Sequence, residues 1–206
     1  MTDQLIANII QNPLFLRLKA VVENNPWHDH ESVYDHLVKT KDIARREIRG
    51  DFITNPKAKK LFEQFANKDF HGMKKANLMV VGALLHDIGK LETPQLKDDG
   101  GTTSAPGHEY QGFLIADKFL KDLNLKPEQI KYISEIIRLH GVFQRDYLFT
   151  KKGWTIQDIV EDMRGKADGL YIESMFNNYC DVFTADPFQP FKETVIKIFN
   201  EPKLYV

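Results

Sequence analysis

The chain has 206 residues, 42% of them apolar, enough for one compact domain with a real core. Its 28 basic and 29 acidic residues leave a net charge of −1, and the basic residues occur only as short pairs such as Arg45–Arg46, Lys59–Lys60, Lys74–Lys75 and Lys151–Lys152, so duplex nucleic acid is not supported as a main partner. No apolar run approaches the roughly 20 residues that span a bilayer, MTDQLIANII does not read as a signal peptide, and the single Cys180 excludes an internal disulfide framework or a Cys-based zinc cluster. The expectation is a cytoplasmic protein.

Residues 2–24 place Leu5, Ile6, Ile9, Ile10, Leu14, Leu16, Leu18 and Val21 at helical spacing, with a break or kink at Asn12–Pro13. Ser32 is a candidate cap for a second helix to about Ile48, closed by Gly50. Asn55–Pro56 starts a short helix to about Asn67. Residues 74–88 are apolar almost all round, as a helix in the middle of a core must be, and Gly89 is placed to end it. Residues 91–107 read as a long loop of the kind that often carries function.

Two helices follow, at about 108–123 and 127–139, with Pro127 opening the second. The stretch 141–153 is irregular. Thr155 caps a short helix, and residues 168–186 read as a last long core helix. The tail from 187 ends in an amphipathic turn or two. No repeat, low-complexity segment or convincing alternating strand pattern interrupts this series. The fold class is therefore all-α, in a single domain over 1–206.

Seven histidines punctuate the chain, and several sit at helix ends. His86 and Asp87 close the most apolar helix, where a polar pair is costly unless something satisfies it. A bound cation would do so; hydrogen bonds to backbone are the simpler alternative. Four further candidates lie on helices or at their boundaries: His36 in VYDHLVKT, His108 in GHEYQG, His140 in IIRLHG and Asp181 in NNYCDVFTAD. A bundle can point such side chains at one centre. For the last carboxylate, Asp181 is preferred. Asp168 precedes Gly169 and reads as a turn, and Asp186 precedes Pro187 at a helix end.

This ordered set, with the wording HDIGK, then GHE with a glycine four residues after the histidine, then an Ile-rich helix ending in histidine, resembles the HD-domain superfamily of metal-dependent phosphohydrolases. The resemblance covers roughly residues 30–185 and implies a helical bundle of the HD-domain type. The spacing from His36 to His86 is longer than in many members, so residues 50–72 read as an insertion.

By resemblance, His36, His86, Asp87, His108, His140 and Asp181 hold one or two divalent metals, with Asp87 bridging when there are two. A ligand set of imidazole and carboxylate without thiolate suits Mn, Fe, Mg, Co, Ni or Zn. The implied chemistry is attack of a metal-activated hydroxide on the phosphate ester of a nucleotide or small phosphorylated metabolite. Asp87 and Lys90 are the residues assigned to catalysis. Lys90 is either a phosphate contact or a solvated helix-end lysine. Glu109 either orients a metal ligand or serves as an acid in the first turn of its helix, the second reading being preferred, and Cys180 is read as a small buried residue. The same ligands also fit the HD-fold di-iron oxygenases and, less well, a non-catalytic nucleotide-binding module. Oligomeric state has no readable signal.

Overall fold

The computed structural model describes residues 2–25, 28–93, 95–96, 103–143, 154–184 and 189–206. Asp186, Trp27 and Lys151–Lys152 lie outside the described residues, as does most of the 141–153 stretch.

The N-terminal segment is not one long helix. It forms α1 (Thr2–Gln11), α2 (Pro13–Leu16) and a 3-10 turn (Arg17–Ala20). Asn12 explains the break: its backbone is extended and its side chain caps α2. Beyond Ala20 the chain turns into a hairpin, β1 (Val22–Asn25) with β2 (His28–Ser32), so the expected helix stops short of residue 24.

α3 (Val33–Glu47) begins as the sequence predicts, with Ser32 Oγ accepting from the Asp35 amide at 3.1 Å. Gly50 follows its end at φ +72°, a conformation that strains any residue with a Cβ. α4 (Pro56–Asn67) is capped by Asn55, whose side chain accepts from the amides of Lys57 and Ala58. It seats Phe62 among Phe52, Phe176, Phe199 and Tyr205.

A tight hairpin, β3 (Asp69–Phe70) with β4 (Met73–Lys74), leads into α5 (Lys75–Leu85). Every α5 residue from Leu78 to Leu85 is buried, and α5 packs against α3 and α4. The helix ends at Leu85, before the expected 88, and Ile88–Leu91 form a 3-10 turn.

Gly89 therefore does not terminate the helix. A Cβ there would lie 2.0 Å from the His108 carbonyl oxygen and 2.5 Å from the Gly112 amide nitrogen, so glycine lets a neighbouring backbone press on this turn. That backbone belongs to α6 (His108–Phe119), reached through β5 (Gln95–Leu96) and β6 (Thr103–Ser104) and continued by a 3-10 turn to Leu123.

α7 (Pro127–Leu139) covers α5 and α6, and approaches α5 closely because Gly82 leaves room for Ile136. α8 (Ile156–Lys166) opens with a capping box between Thr155 and Asp158. Asp168 and Gly169 adopt positive φ in the turn that follows, so α9 (Tyr171–Asp181) starts later than expected. The segment from 187 is more than a turn or two of tail. It contains α10 (Gln189–Phe199) and a last 3-10 turn, and it buries Val195, Ile198, Phe199 and Leu204.

The architecture is all-α: helices make the core, and the described strands are three two-stranded hairpins. No helix among the described residues is long and apolar enough to cross a membrane.

A buried ion pair ties α5 to α9 away from the histidines. Glu173 Oε1 accepts from Lys75 Nζ at 2.8 Å and from Tyr132 Oη at 2.5 Å, and the ammonium lies 4.3 Å from the centre of the Phe65 ring. Removing one partner of such a pair leaves a buried charge uncompensated. Lys75→Met is expected to lower unfolding free energy by about 3–5 kcal/mol in urea titrations; an unchanged midpoint would contradict the assignment.

The two glycines that separate packing from propensity give a second test. Gly89→Ala is expected to cost about 2 kcal/mol or more through backbone overpacking. Gly165→Ala, on exposed α8 with open space around it, is expected to be neutral or to stabilise by up to about 1 kcal/mol. Equal effects of the two substitutions would refute the close-approach reading.

Candidate metal centre

The six predicted ligand residues meet in one place. His36 comes from the second turn of α3, His86 and Asp87 from the end of α5, His108 from the first residue of α6, His140 from the end of α7 and Asp181 from the end of α9. Helix ends converge because the α6 backbone presses on the 86–91 turn and α5 runs through the middle of the bundle.

The imidazoles form a continuous row. Ring centroids are 5.2 Å apart for His36–His86, 5.0 Å for His86–His140 and 5.0 Å for His108–His140. Their Nε2 atoms face one another, at 3.2 Å between His36 and His86 and at 3.1 Å between His108 and His140.

Two carboxylates complete the cluster. Asp181 Oδ1 lies 3.0 Å from His36 Nε2 and 3.3 Å from His86 Nε2. Asp87 divides its oxygens between the two ends of the row. Its Oδ1 faces His108 Nε2 at 3.0 Å and His140 Nε2 at 3.5 Å, while Oδ2 faces His86 Nε2 at 3.3 Å and His36 Nε2 at 3.8 Å.

Three of the histidines have their tautomer fixed by backbone. Nδ1 lies 2.9 Å from the Ala83 carbonyl for His86, 2.6 Å from that of Ala105 for His108 and 2.6 Å from that of Ile137 for His140. A carbonyl oxygen only accepts, so each Nδ1 carries the hydrogen. In the neutral ring Nε2 is then a lone pair aimed into the cluster. Lone pairs facing one another about 3 Å apart, beside carboxylates, repel unless a positive charge sits among them. Asp87 Oδ1 is also buried without a hydrogen bond of acceptable geometry. The donor set thus fits a cation.

Without a metal, a proton is the available cation. Burial opposes charge on His86, but the Asp87 and Asp181 carboxylates outweigh it and raise its pKa to about 10. His108 is raised as well, against burial, by Asp87. His140 is lowered, chiefly by burial. Asp87 stays ionised far below the usual carboxylate range despite its burial, because Lys90, His86 and His108 surround it. Asp181 behaves likewise through His86 and His36.

Among the described residues, two groups bring three ligand atoms within 4.8 Å of one another: His36, His86 and Asp181, and His86, Asp87 and His140. They share His86, and Asp87 joins both ends of the row. His108 is reached through Asp87 Oδ1 and His140.

Lys90 is not the solvated helix-end lysine that one sequence reading expected. It is 7% exposed, and its ammonium donates to Asp87 Oδ2 at 2.6 Å and to Glu23 Oε2 at 2.8 Å. That geometry is a buried ion pair.

Glu109 also does more than sit in a first turn. Its Oε2 is 3.7 Å from His108 Nδ1, and a Cβ at Gly141 would lie 2.8 Å from its Oε1. Cys180 is buried, and burial pushes its thiol far up. His71 lies in a turn away from the cluster, and Asp168 is an exposed turn residue.

Sequence reasoning missed Glu23 and Glu31. They lie in the hairpin strands β1 and β2, where a helix and a loop were expected. The available signal was the turn-forming Asn24–Asn25–Pro26 between two polar runs.

Compared with known families, residues 33–189 match the HD domain. No curated protein gives a significant match to the chain. With a family match across most of the sequence, on an all-α bundle whose helix ends gather histidines and aspartates that can hold a metal, the chain belongs to the HD-domain family of metal-dependent hydrolases.

Proposed function

We propose that the protein is a metal-dependent phosphohydrolase that cleaves a phosphate ester of a nucleotide or small phosphorylated metabolite. The observation that carries this reading is the division of Asp87. One oxygen faces His108 and His140, the other faces His86 and His36, and Asp181 closes the second end. Such a set can hold one divalent ion and has donors for a second. His36, His86, Asp87 and Asp181 would hold the first, and Asp87, His108 and His140 the second. When bound, such ions supply Lewis acidity toward a phosphoryl oxygen and make water acidic enough to act as the nucleophile near neutral pH.

The protein side chains prepare that chemistry. Backbone carbonyls of Ala83, Ala105 and Ile137 hold three imidazoles in the tautomer that presents Nε2. Lys90 offsets part of the negative charge on Asp87 and fixes its orientation. We place the substrate among small soluble phosphoesters because the chain has no charge excess suited to a polyanion. A lone, inert, buried cysteine is the usage of a reducing compartment, and on that ground we place the protein in the cytoplasm.

Phosphate release from a panel of nucleotides and simple phosphomonoesters, with Mn, Mg, Ni or Co added, tests the proposal. Wild type is expected to turn over at least one substrate only with metal, and Asp87→Ala is expected to fall to background. Absence of turnover in every metal, with iron bound and oxygen consumed, would overturn it in favour of di-iron oxygenase chemistry.

Proton release gives a second check. In the metal-free protein His86, with its pKa near 10, is protonated at pH 7 and must lose that proton to coordinate through Nε2. Metal affinity is therefore expected to rise with pH across pH 6–9, by up to about tenfold per unit. Calorimetry in buffers of different ionisation enthalpy should register roughly one proton released per chain or more. A buffer-independent enthalpy with flat affinity would contradict this account of the donors.

A further inference from the structure

The β1–β2 hairpin puts two carboxylates side by side. Glu23 and Glu31 are directly opposed in the antiparallel register, which places them on one face of the ribbon. Like charges in that relation destabilise a hairpin unless each is compensated. Here each faces a group of the metal centre. Glu23 is buried and accepts from Lys90 Nζ at 2.8 Å, and the same ammonium holds Asp87 Oδ2 at 2.6 Å. Glu31 Oε2 is 3.9 Å from His36 Nδ1, and its Oε1 is paired with Lys39. His36 is thus approached from its Nδ1 side by a carboxylate, where His86, His108 and His140 meet backbone carbonyls.

We infer that the hairpin is an outer carboxylate layer of the metal centre, in which Glu23 positions Asp87 through Lys90 and Glu31 orients His36. The inference rests on the metal-binding reading above. Glu23 divides the ammonium between two carboxylates. With Glu23 neutral, the whole of that charge falls on Asp87 Oδ2 and competes with a metal for the same oxygen. Glu31 favours the His36 tautomer that carries hydrogen on Nδ1 and offers Nε2 inward. The hairpin also touches the segment before α6: the Asn24 amide donates to Thr103 Oγ1 at 2.9 Å. The ribbon that braces the ligands is therefore tied to the 91–107 segment as well.

The test is a double-mutant cycle read by manganese affinity of the full-length protein, using competition with a chromophoric chelator. Glu23→Gln is expected to weaken manganese binding by about tenfold or more, the range seen when partners of metal ligands are removed. In a Lys90→Met background the same substitution is expected to have little effect, because its route to Asp87 is gone. A general loss of stability would instead weaken binding in both backgrounds.

Glu31→Gln is expected to weaken binding severalfold on its own, and it carries the test if Glu23→Gln does not fold. Wild-type affinity in both variants, or an undiminished Glu23→Gln effect without Lys90, would overturn the inference while leaving the metal reading intact. A wild-type protein that binds no manganese and no other divalent ion would overturn both.

Discussion

A carboxylate buried among four imidazoles is the constraint around which this molecule is arranged. Asp87 has almost no access to water, so every charge on it must be met by protein or by a bound ion. Its two oxygens serve opposite ends of the histidine row, and Lys90 meets one of them from behind. The helix ends converge to supply those partners. The glycines at 89 and 112 leave the room this takes: a Cβ at Gly89 would lie 2.0 Å from the His108 carbonyl oxygen, and one at Gly112 would lie 2.8 Å from the Ile137 side chain.

The rest of the fold separates support from chemistry. The aromatic group around Phe62 and the ion pair of Lys75 with Glu173 hold α4, α5, α9 and α10 together without touching the histidines. Buried pairs of this kind add little net stability, but they penalise any arrangement that separates the partners. α9 carries both functions on one helix, with Glu173 near its start and Asp181 at its end. Fixing one end of α9 on Lys75 and Tyr132 constrains where the other end delivers its carboxylate.

Much of this was legible in the chain. The caps Ser32, Asn55 and Thr155 marked helix starts because side-chain acceptors for free amides are a local property. The all-apolar stretch of α5 announced the centre of the core. His36, His86, Asp87, His108, His140 and Asp181 were recognisable as a set through their resemblance to the HD-domain motifs, and their helix positions are ones a bundle can bring inward.

What escaped depended on contacts distant in sequence. Glu23 and Glu31 look like ordinary surface acids until a hairpin pairs them beneath the site. Lys90 looks like a helix-end lysine until Glu23 arrives from 67 residues away. Gly89 looked like a helix stop because its real neighbour is the backbone of α6. The C-terminal helix was underestimated since its burial against the Phe62 aromatic group is set by tertiary packing and not by its own pattern.

The central claim is that the convergent Nε2 atoms and the divided carboxylate hold a divalent ion. Anomalous diffraction at the manganese absorption edge, from crystals of manganese-loaded protein, tests it most directly. The account predicts a peak among His36, His86, Asp87 and Asp181, with a second beside His108 and His140 when both positions fill. A cluster without an anomalous peak, in crystals whose protein shows manganese bound elsewhere or not at all, would contradict it.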